Sequence, residues 1–425
     1  MPASSPVPGL RVAMVVPTFP ELTNTFVLNQ VTGLLDRGHD IAIFAISQRP
    51  FANAHEDVAR YRLAERMQHL DVPRARGRRI VAALRLVATA EGRHAAALDA
   101  LAPRGTAIHS LRLVPYFTAV SLLRAGRFDV VHAQFGDLGP GLERWVRRAA
   151  PETALVTSFR GADLTMKVPS DPQRYADLFR RGDLFLPVCE AFRTRLVDLG
   201  VAPERVAVHR SGIDLRRFAY RPVVLAAGEV PRVLFVGRLT PKKGAVHLLD
   251  AIARARAAGT AIELDVIGTG VLSASLQERA RELGLAAAVR FRGALPHEAV
   301  VAAMRRSHLV AAPSVTAEDG DQEGIPNVLK EAMAMGLPVV ATRHSGIPEL
   351  VDDGVTGFLA AERDADDLAR CLVAAIDAAD RWLAMGQAGR TRIEEAYDAA
   401  RLGDELVELY RRAIALRVGL GVTAP

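Results

Sequence analysis

Two glutamates lie eight positions apart in the stretch EGIPNVLKE, residues 323–331. Pro326 between them suits the first position of a helix, because proline lacks an N–H group that would go unpaired there. The preceding Ile325 has no side-chain oxygen that could cap the other free N–H groups of the first turn. We therefore expect either water or an anion such as phosphate at this helix start, bound by the amides of Asn327, Val328 and Leu329.

The two glutamates are better suited to holding a ligand than to acting as a general acid and base. Within one helix, eight residues would separate their carboxyl groups by about 12 Å, too far to flank one glycosidic bond. Glu323 precedes the helix, in a loop that can curl toward a ligand. Glu331 projects from the second turn, where a carboxylate can accept hydrogen bonds from a pair of hydroxyl groups.

Two cations follow another apolar run. Arg238 and Lys243 are five positions apart in RLTPKKG, directly after VLFVG, around a turn that contains Pro241 and Gly244. Two cations beside a helix start with free N–H groups are suited to clamping a diphosphate, because charge-assisted hydrogen bonds to phosphate are strong. The alternative interpretation is a pair of exposed charges on a loop.

The glycine patterns are weaker signals. Gly268 and Gly270 in VIGTGVLSAS resemble the start of a dinucleotide-binding fingerprint, but the third glycine is missing, which weakens a dehydrogenase interpretation. RLTPKKG is not a P-loop, because no Gly-Lys-Ser/Thr follows. Gly268 and Gly293 are expected to let the backbone approach a nucleotide base or ribose, although tight turns alone would also explain them.

The 425 residues are enough for two domains with substantial cores. Half of them are hydrophobic, but no apolar run reaches the length of a membrane-spanning helix. The first twenty residues lack the features of a signal peptide, so we expect the protein to act in the cytoplasm. Cys189 and Cys371 lack metal-ligand spacing and are expected to be buried fillers rather than zinc ligands or disulfide partners.

The net charge of +6 is unevenly distributed. Residues 1–222 hold 31 Lys and Arg against 21 Asp and Glu, a net +10, whereas the remainder is acidic. Much of the excess lies between Arg60 and Arg148, including PRARGRRIVAALRLVATAEGR, where arginines interleave with apolar residues at roughly helical spacing. This pattern favours peripheral contact with the inner face of an anionic membrane, with a solvated helix face as the alternative. Nucleic acid is not an expected partner, because no nucleic-acid-binding module is present.

Both halves alternate short apolar runs with longer amphipathic ones, which predicts an α/β protein with parallel sheets covered by helices. The predicted strands are RVAMVVP, DIAIFAI, DVVHA, ALVTSF and DLFLPV, then RVLFVG, IELDVIG, VRFRG, HLVAAP and LPVVAT. Residues 220–231 lack periodicity, so we place one domain in residues 1–222 and another in 231–395. Residues 396–425 are predicted to form a helix that packs back on the first domain. Open α/β sheets bind ligands at the carboxyl ends of their strands, where the candidate residues fall.

The segments GRLTPKKG, EGIPNVLKEAMAMGLPVVAT and GIPELVDDGVTGFL resemble, in this order, those of retaining glycosyltransferases of the GT-B fold, family 4 or group 1. The resemblance covers nearly the whole chain. The segments FPELTNTFVLNQVTGLLDRGHDIAIFA, VHAQFG, TSFRGADL and HRSGID are most similar to the colanic-acid type of exopolysaccharide enzyme. The resemblance implies two doubly wound Rossmann-like domains facing across a cleft, with the acceptor on the first and the nucleotide sugar on the second.

The family's site residues carry over onto matching positions. By this resemblance Arg238 and Lys243 hold the donor diphosphate, Glu331 holds the ribose hydroxyls, and Glu323 with the following amides orients the transferred sugar. The implied donor contacts further include Gly237, Gly268, Gly293, Leu295, Gly324, Ile325, Asn327, Val328 and Leu329.

The first half departs from the family pattern. Many relatives carry a histidine before the Gly-x-Asp of TSFRGADL, where this chain has Arg160. We expect Arg160 to stabilise the leaving phosphate and Asp163 to orient Arg160.

A second departure follows the first strand. PTFPELTNTF replaces the family's glycine-rich loop, and Asn24 and Thr25 are expected to shape the acceptor pocket. Capping of the next helix by Thr23 or Asn24 is an equally natural role. His132 in VHAQFG is either a substrate contact or, as is commoner for a lone histidine, a structural residue.

The expected reaction moves a sugar from a nucleoside diphosphate to a hydroxyl of a saccharide, lipid-linked or small-molecule acceptor, with retained configuration. As in relatives, the leaving diphosphate itself would accept the acceptor's proton. Arg238, Lys243 and the helix start would offset the phosphate charge, so no metal or other cofactor is expected. A metal-dependent transferase using Asp319 and Asp321, an antibiotic or secondary-metabolite pathway, and a non-catalytic sugar-nucleotide-binding protein are the alternatives.

Overall fold

A computed structural model of the chain describes residues 9–20, 25–51, 55–70, 72–73, 75–88 and 113–419. The chain divides into two compact units. The first unit comprises Met1–Val188, Arg193–Ser211 and Ala399–Pro425, and the second comprises Cys189–Phe192 and Gly212–Asp398. Thr23 and Asn24, expected at the first helix start and in the acceptor pocket, lie outside the described residues, as does the side chain of Thr25.

The first unit contains a six-stranded parallel sheet in the order β3-β2-β1-β4-β5-β6. Its strands are β1 Arg11–Phe19, β2 Asp40–Gln48, β3 Met67–His69, β4 Val130–Ala133, β5 Ala154–Phe159 and β6 Leu184–Pro187. The helices are α1 Thr25–Asp36, α2 Glu56–Arg60, α3 Arg76–Ala88, α4 Val114–Ala125, α5 Leu142–Ala149, α6 Ala162–Thr165, α7 Lys167–Ser170, α8 Ala176–Arg181 and α9 Glu190–Asp198, whose first three residues group with the second unit. Every residue of β4, β5 and β6 is buried, which explains why these strands appear in the sequence as continuous apolar runs.

The second unit repeats the design with the order β12-β11-β10-β7-β8-β9. Its strands are β7 Arg232–Val236, β8 Glu263–Ile267, β9 Val289–Gly293, β10 Leu309–Ala312, β11 Val339–Thr342 and β12 Gly357–Ala360. Its helices are α10 Ala245–Ala257, α11 Ser273–Glu282, α12 His297–Met304, α13 Asn327–Ala334, α14 Ile347–Leu350, α15 Ala365–Asp377 and α16 Trp382–Ala396. All pairings in this sheet are parallel.

All ten strands predicted from the sequence are present. The sequence analysis missed β3 and β12, each of which pairs with only one neighbour at the edge of its sheet. β3 has the sequence MQH, with one apolar residue, and β12 has the sequence GFLA, which begins with a glycine, so neither shows the apolar run that is typical of a buried strand.

The C-terminal helix α17, Ala399–Val418, belongs to the first unit. Its buried Tyr410 hydroxyl lies 2.8 Å from Nδ1 of His132 in β4. The Leu402 carbonyl lies 3.0 Å from Nε2 of His209, a buried residue whose pKa is lowered to about 4 by burial. These polar contacts join the apolar packing of α17 against the sheet.

Residues 212–222, assigned to the first domain from the sequence, group with the second unit instead. Phe218 and Val223 are buried in the core of that unit. The backbone N–H of Arg221 donates to the Met335 carbonyl at 3.0 Å. The segment RPVVLAAGEVP therefore contributes to a core through Val223 and Leu225, despite its lack of periodicity.

In each sheet, the strand order reverses between two neighbouring strands, β1 and β4 in the first unit and β7 and β10 in the second. Loops that follow such strands diverge and leave space for a ligand at the carboxyl edge of the sheet. In the second unit these loops are residues 237–244 and 313–326, which carry most of the candidate site. Within the described ranges, no helix is both long and apolar enough to cross a lipid bilayer.

Candidate functional site

The loop after β7 brings a lysine and a glutamate together. Nζ of Lys243 lies 2.7 Å from Oε2 of Glu323, which comes from the loop after β10. Both side chains are about 15% exposed. Burial alone would raise the pKa of Glu323, but Lys243, Lys242 and His344 together outweigh it, and the net shift is downward. The structure thus joins the residue predicted to hold phosphate to the one predicted to orient the sugar.

Arg238 differs from Lys243 in being exposed. Within the part of the chain that the structure describes, its guanidinium makes no hydrogen bond or ion pair. A guanidinium presents five N–H donors in a geometry that matches phosphate oxygens. Arg238 is therefore available to an anionic ligand at the carboxyl end of β7.

The start of α13 corrects one detail of the sequence analysis. Pro326 is the N-cap residue, with φ −59° and ψ 130°, rather than the first helical residue. The N–H of Leu329 donates to the Pro326 carbonyl at 3.3 Å, so this amide is not free. No side chain caps the helix, and the N–H groups of Asn327 and Val328 have no partner among the described residues. Two amides, rather than the three predicted, are open to a ligand.

Glu331 lies in the second turn of α13, as predicted, and is partly exposed. Its carboxylate has no hydrogen-bond partner in the described part of the chain. Burial raises the pKa of Glu331 to about 7, against the opposing effect of Lys330 and Lys243. A half-buried carboxyl group without partners is costly, and hydroxyl donors from a ligand would satisfy it.

Two predicted glycine contacts have backbone explanations. A Cβ on Gly268 would lie 1.9 Å from the Gly237 carbonyl oxygen, and φ is +133° there. Gly293 has φ +69° with open space around it, which is typical of a tight turn. Gly237 lies over Lys243, because a Cβ at this position would contact Cδ and Cε of that side chain at 3.4 Å. Gly268 therefore allows the loop after β8 to lie against the Gly237 carbonyl in the loop after β7.

The remaining predicted donor contacts occupy two loops. Leu295, between β9 and α12, is 39% exposed. Gly324 is buried, and its carbonyl accepts a hydrogen bond from the Gly346 N–H at 3.2 Å. Ile325 is partly exposed beside it. The Gly346 contact holds the segment before α13 against the loop after β11.

In the first unit, Arg160 follows β5 and is anchored by the protein itself. Its guanidinium donates to the carbonyl and the side-chain oxygen of Gln134, at 3.0 and 2.8 Å, and to Oγ of Ser211 at 3.0 Å. The guanidinium carbon lies 4.0 Å from the centre of the Phe26 ring. Burial lowers the pKa of Arg160 to about 10, which still leaves it charged at neutral pH.

Asp163, which we expected to orient Arg160, contacts the backbone of that residue rather than its guanidinium. The Asp163 carboxylate accepts hydrogen bonds from the backbone N–H groups of Gly136, Gly161 and Arg160, at 2.9, 2.8 and 3.1 Å. Burial raises the pKa of Asp163 despite these donors. Asp163 therefore ties together the loops after β4 and β5, and Gln134 and Ser211 hold the arginine.

His132 is structural. Its side chain is fully buried, with Nδ1 2.8 Å from the Tyr410 hydroxyl and Nε2 2.9 Å from Oγ of Ser158. Burial lowers the pKa of His132 well below its ordinary value. With no exposed surface, this side chain does not contact a substrate.

Two family profiles match the chain. Residues 23–217 match the profile described as Glycosyltransferase Family 4, and residues 230–378 match the one described as Glycosyl transferases group 1. The chain belongs to glycosyltransferase family 4. The resemblance inferred from the motifs is thereby confirmed.

Similar curated proteins extend over almost the whole chain. The WcaL protein of Escherichia coli K12, whose name assigns it to colanic acid biosynthesis, is 33% identical over 94% of this chain and 99% of its own length. The amylovoran biosynthesis glycosyltransferase AmsK of Erwinia amylovora is 31% identical over 93% of this chain and 97% of its own. Among solved structures, Anabaena HepE in complex with UDP and glucose superposes with a TM-score of 0.71 at 18% identity, covering 95% of this chain and 99% of its own. This likeness confirms the GT-B fold with two Rossmann-like domains.

The sequence analysis of this family 4 glycosyltransferase missed two residues that hold Glu323 in place. The buried His344 accepts the Glu323 backbone N–H at Nε2, at 3.2 Å. Its Nδ1 lies 2.7 Å from Oε1 of Glu362, and therefore carries the proton. The other Glu362 oxygen accepts the N–H of Thr316 at 2.7 Å. The position of His344, two residues after β11, was the available signal, because polar residues at strand ends point to the ligand edge.

The candidate metal ligands of TAEDGDQEG, Asp319 and Asp321, have partners in the protein. Asp321 forms an ion pair with Lys242 at 3.0 Å, and its N–H donates to Oδ1 of Asp319 at 3.0 Å. In the described ranges, no cluster of three or more His, Cys, Asp or Glu side chains is placed to hold a metal ion. The pair with Lys242 makes Asp321 part of the loop structure.

Proposed function

We propose that this family 4 glycosyltransferase moves a sugar from a nucleoside diphosphate to an acceptor hydroxyl, with retention, during exopolysaccharide assembly. The observation that carries the proposal is the set of unsatisfied groups at one edge of the second unit. Arg238 offers a cation, Glu331 an acceptor, and the amides of Asn327 and Val328 two donors. A nucleotide sugar supplies the complement of each, namely phosphate oxygens and ribose hydroxyls.

The diphosphate is assigned to Arg238, Lys243 and the start of α13. A nucleoside diphosphate carries about three negative charges, and two cations with a helix N-terminus offset most of them. Glu323 positions Lys243 by an ion pair of 2.7 Å. The lysine would therefore already be ordered when phosphate binds. The Glu331 carboxylate would accept hydrogen bonds from the two ribose hydroxyls. The UDP and glucose bound to HepE support a donor of this class, while the base and sugar of this enzyme's donor stay open.

The reaction is proposed to proceed on one face of the sugar. The bond between the anomeric carbon and the diphosphate oxygen breaks, and the acceptor oxygen bonds to that carbon from the same side. The departing diphosphate takes the acceptor's proton, so no protein base is required. Arg238 and Lys243 neutralise the charge that develops on the leaving oxygen, and Glu323 orients the transferred sugar.

Arg160 keeps a proposed role at the leaving phosphate. Its bonds to Gln134 and Ser211 use three of five N–H groups and leave two for a ligand. A guanidinium that is held by its own protein does not have to be ordered when the ligand binds, which favours stabilisation of the transition state.

The acceptor is proposed to be a saccharide, because WcaL and AmsK are named for the biosynthesis of colanic acid and amylovoran. We also propose that the enzyme works without a metal ion and touches the membrane peripherally through the first unit. A secondary-metabolite acceptor is the second candidate, but it has no specific observation in its favour.

The decisive experiment incubates the purified protein with a panel of sugar nucleotides and follows donor hydrolysis and transfer by NMR. We expect one donor to be consumed, and the product to keep the donor's anomeric configuration. Excess chelator and the Asp319→Asn/Asp321→Asn variant should leave most of the activity, whereas Glu331→Gln should weaken donor binding. An inverted product would overturn retention. Activity that vanishes with chelator and returns only with a divalent cation would overturn metal independence, and a protein that binds a donor without consuming it would be a non-catalytic binder.

A further inference from the structure

A cavity of about 810 Å³ lies in the first unit, away from the sheet edge that carries Arg160. Helix α3, helix α4 and the edge strand β3 line it. Its described lining residues combine three arginines with apolar side chains and include no carboxylate: Gln68, Gly77, Arg78, Val81, Ala82, Arg85, Phe117, Val120, Ser121 and Arg124. A pocket with this composition is complementary to a ligand that is both anionic and apolar.

Two of the arginines are available to such a ligand. Arg78 and Arg124 are exposed, and neither forms a hydrogen bond or ion pair with any other described residue. Arginine elsewhere in the first unit is usually paired, as Arg147 is with Asp183 at 2.8 Å. The positive charges of Arg78 and Arg124 are therefore not compensated by an ion pair with a described residue.

Helix α3 adds an apolar surface beside this charge. Ile80, Val81 and Leu84 are 50%, 51% and 63% exposed. At about 100° per residue, these three lie within an arc of about 100° on the helix, and Arg78 and Arg85 follow on one side of that arc. Large apolar side chains next to arginines on one exposed helix face are typical of helices that lie in the interface of a membrane.

We propose that this pocket binds the phosphate group of an anionic membrane lipid, while Ile80, Val81 and Leu84 enter the boundary between headgroups and acyl chains. The occupant is a lipid in a bilayer rather than free phosphate, because the pocket continues into an exposed apolar stripe that an inorganic ion would not cover. This inference deepens the peripheral membrane contact proposed above. It does not depend on the donor site of the second unit.

The test is a sedimentation assay of the full chain with vesicles of phosphatidylcholine and with vesicles that also contain phosphatidylglycerol. We expect binding to the anionic vesicles only, weakened by added salt. Each basic residue near an anionic surface contributes about 1 kcal/mol, so Arg78→Gln/Arg124→Gln should lower the partition coefficient roughly thirtyfold. Ile80→Ser/Leu84→Ser should reduce the part of the binding that resists salt.

The matched control is Arg305→Gln/Arg306→Gln, which removes two exposed arginines from the second unit and should bind as the unchanged protein does. Thermal melting of each variant checks folding, and donor binding checks the second unit separately. An equal loss of vesicle binding in the control and pocket variants would show that net charge alone explains the binding, and would overturn the proposed site. Equal binding to both vesicle types, or saturation of the pocket by inorganic phosphate with no vesicle binding, would overturn the lipid assignment.

Discussion

The two sheets have the same strand order but treat their carboxyl edges differently. In the first unit, the polar groups after β4 and β5 satisfy one another, as Gln134 with Arg160 and Asp163 with three backbone amides show. In the second unit, Arg238 and Glu331 have no such partners in the described part of the chain. The same backbone topology thus supports one edge at which most polar groups are paired within the protein and another at which Arg238 and Glu331 are not. The side chains, rather than the fold, determine which edge is ready for a charged ligand.

The largest expected effect tests the open edge. Arg238→Ala should lower the transfer rate by about a hundredfold, or about 3 kcal/mol, because a charge-assisted contact to the leaving phosphate is lost. The melting temperature should stay unchanged, since Arg238 is exposed and bonds to no described residue. Arg305→Ala, another exposed arginine of the same unit, serves as the control for charge. Near-normal turnover of Arg238→Ala with a consumed donor would contradict the phosphate role.

The matching change in the first unit should affect stability instead. Arg160→Met leaves the Gln134 oxygens and the Ser211 hydroxyl without their guanidinium partner. We expect a loss of about 2 kcal/mol in the free energy of unfolding, seen as a lower melting temperature. Arg238→Met removes the same charge from the open edge and should melt like the unchanged protein. Identical melting temperatures of the two variants would contradict the difference proposed between the two sheet edges.

The titration of Glu331 sharpens the comparison. Its pKa in the free protein is raised from 4.5 to about 7, so the neutral form is favoured below pH 7. The contribution of protonated Glu331 to the free energy of unfolding is fully present below pH 4.5 and is lost as the pH rises through 7. Ribose hydroxyls need the ionised carboxylate as acceptor, so the Kd of the sugar nucleotide should fall as the pH rises toward 7. Below pH 7 the Kd should change by up to about tenfold per pH unit. Calorimetry should show that Glu331→Gln keeps only the pH dependence of the donor's own phosphate, and an unaltered profile would remove Glu331 from the ribose contact.

The smallest expected effect concerns the support of Glu323. His344→Leu removes the acceptor of the Glu323 N–H while keeping an apolar side chain in the buried position. We expect kcat to fall about fivefold, or about 1 kcal/mol, with an unchanged donor Kd. His344→Gln supplies a carbonyl oxygen for the same N–H and should recover most of the rate. A loss shared equally by both variants would show that His344 only fills space.

The local elements followed from the sequence because their signals are local. Ten strands appear as short apolar runs, and the helix after Pro326 begins within one residue of its predicted start. The roles of Arg238 and Glu331 stay predictions, but their positions at strand and helix ends were accessible from spacing alone. Backbone periodicity and missing caps depend on neighbouring residues, which the sequence shows directly.

The partners of these residues were decided by the tertiary structure. Lys243 and Glu323 are 80 residues apart, and they meet because β7 and β10 are neighbours in the sheet. Asp163 contacts the Arg160 backbone rather than its guanidinium, and His344 supports Glu323 from the end of β11. Which loops share an edge depends on strand order, which no local pattern encodes. The sequence therefore determined which groups could do chemistry, and the packing of the loops decided which of them are satisfied by the protein and which are left for a ligand.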